Sequence, residues 1–283
     1  LIVMGWRRAT LSVLLAVSAL APNVLGEDPP RRLPFLGEEA RKRGYDLPLP
    51  FGIGLVYYKL DRAIEVTEVR VGRNGATPEP VSDFLHFAST SDVDNVNVKA
   101  DVWLLPFLNV YAVAGTVRNE SMTSIQVTLP PLVAGDAPRT LHLAVPTELK
   151  GSVGGLGITA AGGYKSLFVA ADVNAVRADI GFDDDFEAVV ASLRGGWAGK
   201  AGGRPIRLWV NATYWDTFAV AKGTVADPDG GTLTFEVEQG PEYPWTYGVG
   251  LSYAPRPWLE LAIDGGSDFH DGWYVALIPV FRF

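Results

Sequence analysis

No cysteine occurs among the 283 residues. That excludes a disulfide framework, a zinc–thiolate centre and thiol catalysis. Long apolar runs are missing as well. Beyond the amino-terminal segment, no stretch approaches the ~18 uninterrupted apolar residues that a membrane-crossing helix needs. Positive charge is in deficit, with 24 Lys and Arg against 32 Asp and Glu and a formal net charge of −8. A chain of that sign is a poor nucleic-acid binder, so no nucleic-acid partner is expected. There is no glycine-rich phosphate loop, nucleophile elbow or metal-ligand cluster. Neither a cofactor nor a metal ion is expected.

What is present points to strands. Hydrophobic residues make up 48% and aromatics 11%, with 31 Gly and modest charge, which suits many strands joined by tight turns. The length fits one or two soluble domains, or one barrel. Residues 1–26 read as a signal peptide: Arg7 and Arg8 form the charged region, residues 11–20 the apolar region, and Val24, Leu25 and Gly26 the cleavage site. Met4 reads as the initiator. Residues 27–50 are Pro-rich and charged, and read as a periplasmic leader with room for a short helix between Gly37 and Arg43.

From Phe51 the hydrophobic period becomes two and stays there. Phe51, Ile53, Leu55 and Tyr57 share one face. Val96, Val98, Ala100, Val102 and Leu104 share another, opposite Asn97, Lys99, Asp101 and Trp103. The same unit recurs at 107–117, 151–161, 164–175, 186–199, 206–216, 245–254, 258–265 and 273–283. Short turns near 106, 162, 202 and 256 alternate with mostly longer connections. Strands of about ten residues in that rhythm predict an all-β, transmembrane, antiparallel up-and-down barrel over 51–283. Ten strands are expected. Strand-like runs at 64–71, 125–129 and 232–237 leave twelve as the alternative if one re-enters the bilayer.

A soluble sandwich alternates too, but its outer face is charged. Here the second face carries Gly, Ser, Ala, Asn and few charges, and Trp and Tyr gather near strand ends, where membrane interfaces hold them. The last strand is the most telling. Trp273, Val275, Leu277, Phe281 and Phe283 lie on one face, and the chain stops on Phe-Arg-Phe. This terminus resembles the closing strand of bacterial outer-membrane β-barrels. The resemblance implies a Gram-negative outer-membrane location and contact with outer-membrane lipid and lipopolysaccharide. It also implies handling by the barrel assembly machinery, with Phe281 and Phe283 as the assembly signal. The oligomeric state is left open.

The inward face is predicted to hold Lys99, Asp101, Asp172, Arg194, Arg207, Glu260 and Asp264, with Asn97, Asn109, Asn174 and Asn211 and the bulky Phe168, Trp209, Trp215 and Trp258. Charges of both signs in a narrow ten-strand bore are expected to pair with one another before they meet a ligand. Function is accordingly read as structural, or as a narrow channel for small solutes. Loop-mediated ligand binding or adhesion is the alternative.

A surface hydrolase is the second alternative. Asp268 and His270 stand two apart in one loop, and Asp92 and Asp94 form a second acidic pair. An imidazole and carboxylate of this kind form a general base. The two pairs resemble the Asp-His couple and Asp pair of omptins, ten-stranded outer-membrane proteases, although the Asp-x-His here falls in the last loop rather than the one omptins use. A lipid-modifying site would instead need His86 or His142 with a serine, and Ser82, Ser89 and Ser91 lie near His86. The acidic tips at Asp183, Asp184 and Asp185 and at Asp227 and Asp229 lack calcium-loop spacing and read as solvated surface.

Overall fold

The computed structural model describes residues 33–80, 85–129, 139–180, 186–217, 219–226 and 230–283. Residues 1–32, read above as signal peptide and the start of the leader, all three aspartates of the first acidic tip and both aspartates of the second lie outside them. The β-branched and aromatic runs form thirteen strands. They are β1 (Phe51–Arg73), β2 (Glu79–Pro80), β3 (Leu85–Leu105), β4 (Leu108–Leu129), β5 (Arg139–Tyr164), β6 (Leu167–Asp179), β7 (Phe186–Ala201), β8 (Arg204–Asp216), β9 (Ala219–Ala226), β10 (Thr232–Pro241), β11 (Trp245–Arg256), β12 (Leu259–Ser267) and β13 (Trp273–Arg282).

Ten of these close a barrel. Antiparallel neighbours run β1, β3, β4, β5, β6, β7, β8, β11, β12, β13, and β13 returns to β1 with Gly52 opposite Arg282 and Asp61 opposite Trp273. Closure is needed because lipid offers no hydrogen bonds to an open strand edge. The final residue completes it: Phe51 and Phe283 exchange backbone hydrogen bonds of 3.1 and 3.0 Å, and their rings stack at 5.8 Å. The expected ten-strand count therefore holds.

The outward positions are apolar and bare: Leu156 is 69% exposed, Val249 65%, Val210 64% and Leu193 57%. Their register partners are of the same kind, since Val210 lies opposite Val249 and Leu208 opposite Leu251. The closing strand follows suit, with Phe281 and Phe283 outward and Tyr274, Ala276 and Val280 buried.

Two departures from the sequence reading concern length and register. The strand-like runs at 64–71 and 125–129 extend the wall above the membrane as continuations of β1 and β4, and the described parts of the long connections are mostly strand. β1, β3, β4 and β5 run for 21 to 26 residues, where about 9–11 cross a bilayer. Strand pairing pays for the extension, since every rung satisfies backbone groups that a loop would leave to water. The run at 232–237 belongs to β10, which forms a hairpin with β9. That hairpin pairs with the upper half of β1, Val69 opposite Val237, rather than entering the barrel between β8 and β11. The second departure is the turn expected at Gly162 and Gly163. Both glycines remain in β5, and the turn falls at Lys165 and Ser166, where Lys165 takes φ 55°.

The short turns mark the periplasmic end. There a helix, α1 (Gly37–Lys42), occupies part of the leader. The Phe35 amide donates to the Leu104 carbonyl in β3, and Asp46 meets Lys200 of β7 at 3.4 Å. β3 and β7 stand four places apart around the ten-strand ring, so the leader crosses the periplasmic mouth before entering β1.

Candidate functional site: the barrel lumen

The alternation that bares Val210 to lipid turns Arg207, Trp209, Asn211, Thr213 and Trp215 of β8 inward, and register carries the inward face around the barrel. Four layers of side chains fill it.

The layer nearest the periplasm is ionic. Arg282 donates through Nη1 to Asp101 at 3.1 Å and through Nε to Glu260 at 3.1 Å. Arg207 reaches the other oxygen of Glu260 at 2.7 Å, and Asn109 donates to Asp101 at 2.8 Å. One chain of contacts thus ties β4, β3, β13, β12 and β8. The Asp101 side chain is 2% exposed and that of Arg282 12%, so the pair is withdrawn from water, where a carboxylate needs a cation to remain charged. Gly52 lets this happen: a Cβ there would run into the Asp101 carboxylate.

Above it, Tyr111 donates to Asp172 at 2.8 Å, Thr159 donates to the other oxygen, and Lys99 rests 4.0 Å from the Tyr111 ring centre. Arg194 lies 6.0 Å from the Trp209 ring. In the third layer Asp264 accepts from Trp209 Nε1, Asn211 at 2.9 Å and Tyr274 Oη at 2.6 Å. The Trp209 ring covers Gly250, its partner in register, where a side chain would collide with the indole. The top layer is a ring cluster of Tyr58, Trp215 and Tyr274, with centroids 5.6 to 6.4 Å apart. Arg62 closes it from above and donates to Thr217 at 2.8 Å.

Lys99, Asp101, Asp172, Arg194, Arg207, Glu260 and Asp264 therefore share one interior, with Asn109, Asn174 and Asn211. Trp258 does not: it sits in the β11–β12 turn and stacks on the outward Phe281 at 6.1 Å, because the turn breaks the alternation that assigned it inward. Sequence reasoning passed over Arg62 and Tyr111, and it set Arg282 on the inward face of the last strand without counting it among the lumen charges. Each stands in the inward register of its strand, and the sign of Arg282, beside an acidic wall, was the available clue.

The hydrolase residues are placed apart. Asp92 and Asp94 lie in β3 on the outer side with Tyr57 and Lys59. Lys59 bonds Asp92 at 2.8 Å, and Tyr57 donates to Asp94 at 2.9 Å. Asp268 folds its own loop, accepting from the amides of His270 at 2.8 Å and Gly272 at 3.0 Å. His270 stacks face to face on Tyr243 at 3.7 Å. No hydrogen bond or ion pair joins the two sets among the described residues. His86 and His142 lie in strand extensions, in register on either side of Gln126. Ser89 is bonded to Thr123 and Ser91 to Asn119; Ser82 is outside the described residues.

An antiparallel barrel sealed on itself, apolar where it faces outward and polar within, belongs to the bacterial outer-membrane β-barrel class, and the outer membrane is its location. No family model matches the sequence, and no curated protein does. Solved structures similar to the chain include the outer membrane protein OprG from Pseudomonas aeruginosa (10% identity, 84% of this chain and 100% of that one, TM-score 0.40). Another is the transport unit of the autotransporter AIDA-I from Escherichia coli (9% identity, 95% and 97%, TM-score 0.38). A third is the toluene transporter TbuX from Ralstonia pickettii (11% identity, 84% and 90%, TM-score 0.35). At scores this low the likenesses carry no inference about solute or partner.

Proposed function

We propose that the chain is a narrow outer-membrane channel for small solutes, whose resting lumen is filled by its own side chains. The observation that carries this reading is the Asp101–Arg282–Glu260–Arg207 chain, which spans the bore on the periplasmic side. An ionic layer is a better gate than an apolar one, because a passing polar solute or water replaces its hydrogen bonds as they break. The leader across the mouth adds a second constriction. On the same reading, outer-membrane lipid and lipopolysaccharide contact the outward face, and the assembly machinery recognises Phe281 and Phe283.

Liposome swelling with solutes of graded size tests the proposal. Slow swelling with glycine and none with sucrose is expected, and Arg207→Ala should speed the former. Rapid sucrose entry through the wild-type protein would show an open pore. No entry of any solute, with wild type or variant, would leave a structural role in place of a channel.

A further inference from the structure

Six buried side-chain atoms have no hydrogen-bond partner among the described residues, and only two of them carry charge: Nε and Nη1 of Arg62. A guanidinium taken out of water is normally paired, because an unneutralised buried charge is costly. No carboxylate lies within ion-pair distance of it among the described residues. Two buried or half-buried carboxylates of this end are already committed. Asp264 serves Trp209, Asn211 and Tyr274, and Asp268 serves the amides of its loop. Arg62 is held in place all the same. Nη2 is fixed by Thr217, the guanidinium lies 5.9 Å from the Trp215 ring, and Gly272 packs against its Cβ. Tyr58 Oη, in the ring cluster below, is a second buried donor without a partner.

The geometry points to an anion site at the extracellular end of the lumen, in which Arg62 is the counter-ion of a small organic monocarboxylate whose apolar part rests on Tyr58, Trp215 and Tyr274. One fixed cation above three aromatic rings matches one negative charge on a compact apolar body. A phosphate dianion would bring a second charge into the rings uncompensated. The arginine fork suits a carboxylate, and the rings supply area at little entropic cost. The connection through Glu242 and Tyr243 and the loop bearing His270 flank Arg62 in the chain fold, the first through the Glu242 amide on the Ala63 carbonyl at 3.3 Å and the second through Gly272, and the Tyr243–His270 stack joins them.

The inference rests on the lumen reading for the site's position only, and binding is measured without conduction. The full chain refolded in detergent is titrated calorimetrically with benzoate and with benzyl alcohol, an uncharged ring of the same size. Benzoate should bind at least about tenfold more tightly than the alcohol, and Arg62→Gln should remove that preference. Arg62→Lys, which keeps the charge but loses the fork, should fall between; it serves if the Gln variant does not fold. Trp215→Leu should weaken benzoate while leaving acetate unchanged. No benzoate heat with wild-type protein, equal affinity for acid and alcohol, or unchanged benzoate affinity in both Arg62 variants would overturn the site. A protein that binds benzoate yet passes no solute would keep the site and lose the channel.

Discussion

Arg282→Met tests the interior most sharply, because one side chain holds two carboxylates. Methionine keeps the length and the packing of the stem but removes the charge. Asp101 would keep Asn109, and Glu260 would keep Arg207 and Ser252. Removing one partner of a buried pair costs about 3–5 kcal/mol. The surviving partners put this case at the low end, at roughly 3 kcal/mol. The assay is urea unfolding from lipid vesicles, followed by heat-modifiable mobility on gels so that folded protein is counted directly. The midpoint should fall with the slope unchanged. Adding Asp101→Asn to the variant removes the carboxylate left behind, and should recover part of the loss, giving a coupling energy above about 1 kcal/mol. A single variant within about 0.5 kcal/mol of wild type would refute the reasoning, because it would mean that water already solvates the pair and the layer is not closed.

Three further outcomes are expected. Val210→Arg, on the bare outer face, should destabilise the barrel in lipid by about 2–4 kcal/mol if the residue sits near the bilayer midplane, and a neutral result would place that face in water. Deleting Phe283 removes both backbone bonds to Phe51 and the ring stack; assembled levels in the membrane should drop while the protein that does assemble keeps wild-type solute entry. At the rim, Lys150 at 2.7 Å and then Arg118 at 2.9 Å hold the Glu148 carboxyl below its ordinary 4.5. A lowered folded-state value stabilises above the ordinary one, and is lost as pH falls through the lowered value. Amide protection factors in the upper β4–β5 hairpin, taken relative to the intrinsic exchange rate at each pH, should therefore fall on acidification below about pH 4.5, and Glu148→Gln should remove that component.

The barrel was legible in the chain because period two is enforced by the environment on each side. Val210 and Trp209 could not exchange places without putting an indole N–H into lipid and a valine beside Asp264. The same rule failed where no bilayer enforces it. Above the membrane, β1, β3, β4 and β5 continue, and β4 still alternates half-buried with exposed positions, but polar residues occupy both faces there, so the hydrophobic alternation fades and only the runs at 64–71 and 125–129 read as strand. The position of β10 on β1 was not available either, since it depends on a pairing between segments about 170 residues apart. Within the lumen, the inward register supplied the members of the ionic layer but not their partners. Asp101 and Arg282 stand 181 positions apart and meet only because the barrel closes. Arg62 was overlooked for a related reason: in sequence it is one cation beside Asp61, and its isolation appears only when the surrounding carboxylates are seen to be engaged.

Single-channel recording in planar bilayers bears most directly on the central claim, a sealed barrel whose lumen is filled by its own side chains. The purified wild-type protein should show no large steady unitary current, and the Arg207→Ala, Glu260→Ala and Arg282→Ala triple variant should show small, well-defined steps. Large porin-like openings in the wild type, unchanged in the triple variant, would contradict it.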